Sequence, residues 1–233
     1  MKLSQRLDTI ASFVPEGSRI ADIGTDHGYI PIHLVQENIA EHAIAMDVRK
    51  GPLERARAHI REAGLEGRIE VRLSDGLLKL EKNEADCVVI AGLGGELMIH
   101  ILKEGKDLWD HTPFWVLSPH SEPGKVRKFL EEQAFFIERE IMIKEEGKYY
   151  FVLGVARKGG SSMDYGREVF YRYGKRLLEA CDPVLLEYLK KEEGQLKQIL
   201  KGLSKSGTEA AGKRIEELRQ ELFWNKEAQD EMQ

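Results

Sequence analysis

Short apolar runs alternate with segments of helical periodicity through roughly the first two-thirds of the chain. Five of these runs have the length and composition of β-strands, namely SRIADIG, EHAIAMDV, RIEVRLSDG, DCVVIAG and FWVLSPH. Segments with an amphipathic helical pattern, such as GYIPIHLVQEN and KGPLERARAHIREAGL, lie between most of them. Strands separated by helices of this length predict βαβ units, and therefore an α/β fold with a parallel sheet.

The pattern changes after the fifth strand-like run and the helical segment that follows it. The sequence FFIEREIMIKEEGKYYFVLGVARK holds two further strand-like runs, which are joined by the residues Glu145–Lys148. So short a connection can make only an antiparallel hairpin. The predicted sheet is therefore mostly parallel with an antiparallel terminal hairpin. That arrangement resembles the Rossmann-like sheet of class I methyltransferases and differs from the all-parallel dinucleotide-binding sheet.

The remainder of the chain is nearly all helical in pattern, and Gly159–Ser162 has the composition of a linker before it. Apolar residues recur there at spacings typical of a buried helix face, in two runs separated by GLSKSGTEAAG: Leu186, Leu189, Leu196, Leu200 and Leu203, then Ile215, Leu218 and Leu222. Two such stripes predict a coiled-coil-like helical hairpin. We therefore expect two domains, residues 1–160 with the sheet and residues 161–233 with the C-terminal helices.

Composition excludes several classes of protein. No stretch approaches the ~20 apolar residues of a membrane span, and the N-terminus lacks the apolar core of a signal peptide. Cys87 and Cys181 lie far apart and outside any metal-ligand spacing, so we expect no disulfide and no metal site. A net charge of −5 and an isoelectric point of about 5.9 count against a protein that coats nucleic acid. A cytoplasmic protein is the simplest interpretation.

The loop after the first predicted strand has the sequence DIGTDHGY, in which Gly24 permits a tight turn before a helix that starts near Gly28. The spacing is G-x-x-x-G, and Asp26 stands where a dinucleotide-binding loop has its second glycine. A pyrophosphate on this loop would meet the carboxylates of Asp22 and Asp26, whereas a sulfonium ligand with an ammonium group would be attracted by them. The loop therefore favours S-adenosylmethionine over NAD. Alone, it would fit an ordinary glycine turn with a capping aspartate equally well.

Polar or glycine-rich residues also follow the other predicted strands. Asp47 ends the second strand, where an acid commonly binds ribose hydroxyls, and an acid such as Asp75 after the third could accept from an adenine amino group. Ligands of open α/β sheets bind at this carboxyl edge. The sequence thus predicts one cofactor site for S-adenosylmethionine, formed by Asp22, Gly24, Asp26, His27, Gly28, Tyr29, Asp47, Val48, Asp75, Gly76, Ala91 and Gly92.

Several of these segments together resemble one family. The runs LSQRLDTIASFVP, DIGTDHGYIP, SDGL, AGLGGELM, LSPHSEP and GKYYFVLGV are similar to those of the bacterial tRNA (adenine-22-N1)-methyltransferases, over about residues 1–157. The helical C-terminal part also fits the plan of that family. The resemblance implies methyl transfer from S-adenosylmethionine to N1 of an adenine in the D-arm region of tRNA, which makes tRNA the expected partner.

The chemistry of that reaction suits these residues. Adenine N1 is a neutral nucleophile, so the reaction requires positioning and exclusion of water more than a strong base. AGLGG lacks the Asn/Asp-Pro-Pro-aromatic sequence with which exocyclic-amine methyltransferases hold their target, which disfavours methylation of N6. His27 and Asp26 are the candidate catalytic residues, since either could position the base or accept a proton. A helix cap is the structural alternative for His27, and Tyr29, Tyr149 or Tyr150 could stack on the base.

Basic residues occur in local clusters, and three of these would begin near the carboxyl edge of the sheet. The clusters are Lys2 with Arg6, Arg49 with Lys50, Arg55 with Arg57 and Arg61, and Lys125 with Arg127 and Lys128. They could contact phosphates, or they could be solvated helix faces paired with neighbouring glutamates. Three other functions remain open: a small-molecule or protein methyltransferase, a nucleotide-binding module without catalysis, and, less well supported, an NAD-dependent dehydrogenase. The sequence leaves the oligomeric state undecided, a monomer included.

Overall fold

A computed structural model of the protein describes residues 3–157, 165–204 and 209–233. The chain forms two compact units, Met1–Met163 and Asp164–Gln233. The boundary predicted at residue 160 and the linker Gly159–Ser162 lie outside the described residues. Within the described residues, no helix combines the length and hydrophobicity that crossing a bilayer requires.

The first unit is built on a sheet whose strand order is β3-β2-β1-β4-β5-β7-β6. The strands are β1 (Ser18–Ile23), β2 (Ala40–Asp47), β3 (Ile69–Leu73), β4 (Cys87–Ala91), β5 (Phe114–Ser118), β6 (Phe136–Glu145) and β7 (Lys148–Ala156). Strands β1 to β5 pair in parallel, while β7 is antiparallel to both β5 and β6. The predicted fold class, a mostly parallel Rossmann-like sheet with an antiparallel terminal hairpin, is confirmed.

Helices accompany the strands as the alternating pattern predicts. They are α1 (Gln5–Ala11), α2 (Tyr29–Gln36), α3 (Lys50–Glu62), α4 (Gly95–Glu104) and α5 (Pro123–Glu132), with a short 3-10 helix at Lys106–Leu108. The side chain of Ser4 caps α1 by accepting from the backbone N–H of Leu7, and Pro123 starts α5 with its fixed φ angle. Helix α1 packs on α2 and on the β6–β7 hairpin, so the N-terminal segment reaches the carboxyl edge of the sheet.

The core of the first unit is mainly apolar and contains a completely buried ion pair. Strand β4 is almost entirely buried, and Cys87 is a buried free thiol whose pKa is raised by its burial. The side chains of Arg127 and Glu140 form an ion pair with no exposed surface, in which Arg127 Nε lies 2.8 Å from Glu140 Oε1. The prediction that Arg127 could contact phosphates is therefore wrong. Lys125 belongs to the same basic cluster of the sequence as Arg127. Its ammonium group is bound by the carboxylates of Glu96 and Glu122.

The second unit is helical, with α6 (Glu168–Tyr173), α7 (Lys175–Glu179), α8 (Pro183–Leu203) and α9 (Glu209–Glu231). The two long helices α8 and α9 pack against each other, as the apolar stripes predict. The first turn of the predicted stripe is wrong, because Leu185 is buried and Leu186 is only partly buried. In α9 the buried positions include Asn225, whose side-chain amide donates to the backbone oxygen of Leu189 at 3.0 Å. A satisfied buried amide of this kind fixes the register of packed helices.

Candidate functional site

The site lies where the strand order reverses. Strand β1 pairs with β2 on one side and β4 on the other, so the connections that leave these strands diverge and open a crevice at their carboxyl ends. A cleft of about 400 Å³ occupies this crevice. It is lined by Arg6, Leu7, Asp22, Gly24, Thr25, Asp26, His27, Tyr29, Ile30, Asp47, Arg49, Ala91, Gly92, Leu93 and His120.

The loop between β1 and α2 forms the floor of the cleft. The backbone N–H groups of Gly24 and Thr25 both donate to the carbonyl oxygen of Met46, which ties the loop to the end of β2. Gly24 has a φ of +78°, a left-handed conformation that side chains with a Cβ disfavour. The turn therefore keeps the backbone of this loop open toward the cleft and brings it to the ends of both β1 and β2.

Two buried carboxylates face the cleft from the ends of adjacent strands. Asp22 is 6% exposed and Asp47 is 5% exposed. Burial raises the pKa of Asp22 to about 6, with the Asp47 carboxylate acting in the same direction and the Thr25 hydroxyl opposing it. Asp47 Oδ1 accepts a 2.7 Å hydrogen bond from the backbone N–H of Arg49, which orients that side chain. The hydroxyl oxygen of Thr25 is also buried, and it lies close enough to Asp22 to act on the pKa of that carboxyl group.

Asp26 differs from both in its environment. Its carboxylate is more than half exposed and lies 2.7 Å from Arg55 Nη2, and this guanidinium holds the pKa of Asp26 below its usual range. The prediction that Asp22 and Asp26 together attract a cationic ligand is corrected for Asp26, whose carboxylate already binds Arg55. Arg55 neutralises Asp26, and Asp47 is the second carboxylate of the pair that faces the cleft.

His27 stands beside the glycine turn with a φ of +67°. Its ring is stacked with those of Tyr29 and His59, at centroid distances of 5.0 and 5.5 Å. His59 Nδ1 also lies 2.9 Å from the backbone oxygen of His27, which fixes the position of the loop. The alternative role of His27 as a helix cap is wrong, since Gly28 occupies the N-cap of α2 and no side chain caps it. The Nδ1 atom of His27 is buried and has no hydrogen-bond partner among the described residues.

The cleft unites most, but not all, of the residues that the sequence predicts. Eight of them line it: Asp22, Gly24, Asp26, His27, Tyr29, Asp47, Ala91 and Gly92. Gly28 packs against Ala56 instead, and Gly76 packs against Ile101. Val48 and Asp75 are exposed and lie outside the lining of the cleft.

Sequence reasoning also missed several lining residues. Arg6 and Leu7 come from α1, and the sequence places Arg6 only in a basic cluster with Lys2 that could contact phosphates, without linking it to the cofactor loop. Leu93 contacts the position that a Cβ at Gly24 would occupy, at 3.6 Å. His120 follows β5 in the run Ser118-Pro119-His120, and its place after a strand was the one available signal. The ring of Tyr150, on β7, contacts the His120 ring and the Arg6 guanidinium.

The donor chemistry of the cleft fits S-adenosylmethionine. Two buried carboxylates, a buried threonine hydroxyl and a glycine turn suit a ligand with ribose hydroxyls, an ammonium group and a sulfonium centre. A pyrophosphate at the ends of β1 and β2 would instead lie against the carboxylates of Asp22 and Asp47. In the part of the chain that the structure describes, no group of three or more His, Cys, Asp or Glu side chains is arranged to hold a metal ion.

Several known proteins are similar to this chain in both sequence and fold. Residues 3–153 match the family described as "Methyltransferase domain". The tRNA (adenine(22)-N(1))-methyltransferase of Bacillus subtilis is 39% identical over 165 residues, which cover 71% of this chain and 69% of that protein. The crystal structure of the B. subtilis tRNA methyltransferase TrmK superposes with a TM-score of 0.87 at 32% identity, over 97% of this chain and 98% of that one.

A third similar protein was solved with a ligand. The structure of M. capricolum TrmK in complex with S-adenosyl-homocysteine superposes with a TM-score of 0.87 at 26% identity, over 100% of both chains. Similarity to these structures extends through the C-terminal helices as well as the sheet.

Proposed function

The chain belongs to the tRNA (adenine(22)-N(1))-methyltransferase family, and from this premise we propose that its cleft methylates N1 of an adenine in tRNA. The methyl donor is S-adenosylmethionine, and the target is position 22, in the D-arm region. A tRNA substrate implies that the protein works in the cytoplasm.

The observation that carries the proposal is the pair of buried carboxylates at the ends of β1 and β2, on either side of the Gly24 turn. Asp47 is placed to accept hydrogen bonds from ribose hydroxyls, as acids at this strand end do. Asp22 and the backbone around Gly24 are placed to hold the ammonium end of the cofactor. Val48, Asp75 and Gly76 follow β2 and β3, so we assign them to the adenine end.

Methyl transfer places modest demands on the protein. When bound, the cofactor supplies a methyl group on a sulfonium cation, which neutral adenine N1 can attack directly. The protein must therefore align the base, exclude water and hold the acceptor nitrogen close to the methyl group. The loop Ala91–Gly92 ends β4 beside the cleft, where backbone groups can approach the base closely.

Of the two candidate catalytic residues, His27 is the better placed to contact the base. Its Nδ1 is buried without a partner, and Tyr29 and His59 hold its ring in position. Asp26 is bound by Arg55, which keeps its carboxylate ionised and makes it a weak base. We therefore assign substrate contact to His27, and to Asp26 the positioning of the loop through Arg55.

The test uses labelled methyl transfer to an unmodified tRNA transcript, followed by digestion and nucleoside chromatography. We expect 1-methyladenosine from this transcript, and none from a transcript in which the adenosine at position 22 is guanosine. The His27→Ala variant should lose turnover while it retains cofactor affinity, whereas His33→Ala, a histidine outside the cleft, should retain both. Absence of 1-methyladenosine, or labelling of a protein or small-molecule acceptor instead, would contradict the proposal.

A further inference from the structure

An arginine from the N-terminal helix stands at the edge of the cleft and is held there by three groups. The guanidinium of Arg6 lies 5.3 Å from the centroid of the Tyr150 ring, and its Nη1 is 3.3 Å from His120 Nε2. The backbone N–H of Arg6 donates to Glu145 Oε1 at 3.0 Å, which attaches α1 to the β6–β7 turn. The side chain is therefore placed by contacts with β7, the loop after β5 and the hairpin.

The charge of Arg6 has no carboxylate partner in the part of the chain that the structure describes, because Glu145 contacts only the backbone N–H of this residue. Among the described residues, no Asp or Glu oxygen lies within ion-pairing distance of its guanidinium. Two arginines nearby do contact acids: Arg49, which lines the cleft, lies beside Asp47, and Arg55, which lies outside the lining, binds Asp26. Burial, with help from Arg6 and Lys148, lowers the pKa of His120. A neutral imidazole accepts from the guanidinium and leaves its positive charge intact.

The position of Arg6 relates it to the target and not to the ribose end of the cofactor site. A Cβ at Gly92 would lie 3.9 Å from Arg6 Nη1 and 3.8 Å from the His120 ring. Gly92 follows β4, whereas Asp47 ends β2, and β1 lies between these two strands. Arg6 and Asp47 therefore stand on opposite sides of the strand at which the cleft opens.

We propose that Arg6, positioned by His120 and Tyr150, binds a backbone phosphate of the tRNA next to the adenosine that enters the cleft. The inference rests on the proposed function. A guanidinium matches the geometry of a phosphate, and phosphate contacts set the register of a nucleic acid without reading its sequence. Arg6 thus fixes which nucleotide is presented at Gly92.

The first experiment measures tRNA affinity over a range of potassium chloride concentrations for the wild type, Arg6→Ala and Lys82→Ala. Lys82 is an exposed cation in the β3–β4 connection that does not line the cleft, so it controls for the loss of one charge. We expect Arg6→Ala to weaken tRNA binding by about tenfold to a hundredfold. Its salt dependence should fall by about one unit of slope. Lys82→Ala should match the wild type, and equal behaviour of the two variants would overturn the proposal.

A carboxylate of the cofactor is the other anion that could reach Arg6, and calorimetry separates the two sources. S-adenosylhomocysteine carries the amino-acid carboxylate, whereas 5′-methylthioadenosine lacks it. If Arg6 binds phosphate, Arg6→Ala should bind both compounds as the wild type does. Weaker binding of S-adenosylhomocysteine alone, with normal tRNA affinity, would assign Arg6 to the cofactor and overturn the proposal.

The positioning role of His120 has its own readout. In His120→Gln the side-chain amide oxygen can still accept from Arg6, whereas His120→Leu removes the acceptor at similar size. We expect the leucine variant to raise the KM for tRNA by about tenfold, since a hydrogen bond to a charged group is lost. The glutamine variant should recover most of that loss, and kcat should change little in either. Equal defects in both variants would remove His120 from the proposed arrangement.

The methylation assay of the wild type distinguishes failure of this inference from failure of the proposed function. A wild type that forms no 1-methyladenosine refutes the function. A wild type that does form it, with an Arg6→Ala variant of unchanged KM and salt dependence, refutes only the phosphate site.

Discussion

Two arginines lie over successive aromatic residues of β7, but one is buried in the core and the other lines the cleft. Arg127 lies 4.7 Å from the ring centroid of Phe151, and Arg6 lies 5.3 Å from that of Tyr150. Successive side chains of a strand point to opposite faces of the sheet, so the two guanidinium groups lie on different sides of it. Arg127 is completely buried with Glu140, whereas Arg6 faces the cleft beside the neutral His120.

The difference lies in which charges the fold itself neutralises. A charge that is buried without a partner is so unfavourable that Arg127 must be accompanied by Glu140. Arg6 is only partly buried, so solvent and His120 can stabilise it without a carboxylate. The same distinction separates Glu140, which pairs with Arg127 in the core, from Asp22, which faces the cleft without an ion pair among the described residues. Groups left uncompensated at the cleft are the ones available to ligands.

The largest predicted effect comes from replacing each of the two arginines by methionine in a separate variant. Arg127→Met removes the guanidinium that forms the buried ion pair with Glu140, so we expect a loss of about 3–5 kcal/mol in the free energy of unfolding. Arg6→Met should cost about 1–2 kcal/mol, because it removes one cation–π contact and one hydrogen bond at a partly exposed site. Urea unfolding of the two variants measures both values.

The double variant Arg127→Met with Glu140→Leu is the control. It removes both charges, so it should recover most of the stability that Arg127→Met loses. If the double variant were as unstable as the single one, the loss would come from packing around residue 127. Equal losses in Arg127→Met and Arg6→Met would abolish the distinction altogether.

Two glycines with similar φ angles separate the effect of backbone strain from the effect of blocking the cleft. Gly24 and Gly17 have φ angles of +78° and +74°, so valine strains the backbone at both positions. Nothing lies near a Cβ at Gly17, whereas Gly24 lines the cleft. We expect Gly24→Val to weaken S-adenosylhomocysteine binding more than about a hundredfold, beyond detection by calorimetry. Gly17→Val should bind normally, and similar losses in both would attribute the effect to backbone strain alone.

Replacement of Asp47, a carboxylate that faces the cleft, should have a smaller effect on ligand binding. Asp47→Ala should weaken binding of S-adenosylhomocysteine by about tenfold to a hundredfold, because hydrogen bonds to an ionised group are lost. Asp47→Asn keeps one acceptor oxygen and should lie between the alanine variant and the wild type. Isothermal calorimetry compares the three proteins, and an unchanged dissociation constant in Asp47→Ala would refute its role at the ribose.

Most of the fold could be predicted from the sequence, because strand and helix periodicities are local. The short connection at Glu145–Lys148 predicted the antiparallel hairpin, and parallel strands bring their carboxyl ends to one edge. That rule was enough to predict that Asp22 and Asp47 lie close together at this edge. The error at Leu186 shows the limit of periodicity, since leucines at adjacent positions compete for the same buried face.

The sequence named Arg6 as a possible phosphate contact, but its place at the cleft beside His120 and Tyr150 could not be predicted. Arg6, His120 and Tyr150 come from three elements that are distant in sequence, and α1 is joined to them only by tertiary packing. Sequence also treated Arg127 and Lys125 as one basic cluster, although only the fold shows that one is buried and the other bound by glutamates. Which charges are neutralised is a property of long-range contacts.

The smallest predicted effect concerns the protonation of Asp22, whose pKa burial raises to about 6. Because the cofactor carries an ammonium group, the ionised carboxylate binds it better, and binding lowers the pKa of Asp22. Affinity for S-adenosylhomocysteine should therefore be constant above about pH 7 and fall as the pH drops through 6, by about tenfold at pH 5. His27 and His120 also line the cleft, so the comparison with Asp22→Asn is decisive. That variant cannot ionise at residue 22 and should bind weakly with little change over the same range. A wild-type affinity independent of pH, or a pH dependence that persists in Asp22→Asn, would show that Asp22 is not the carboxylate that holds the ammonium group.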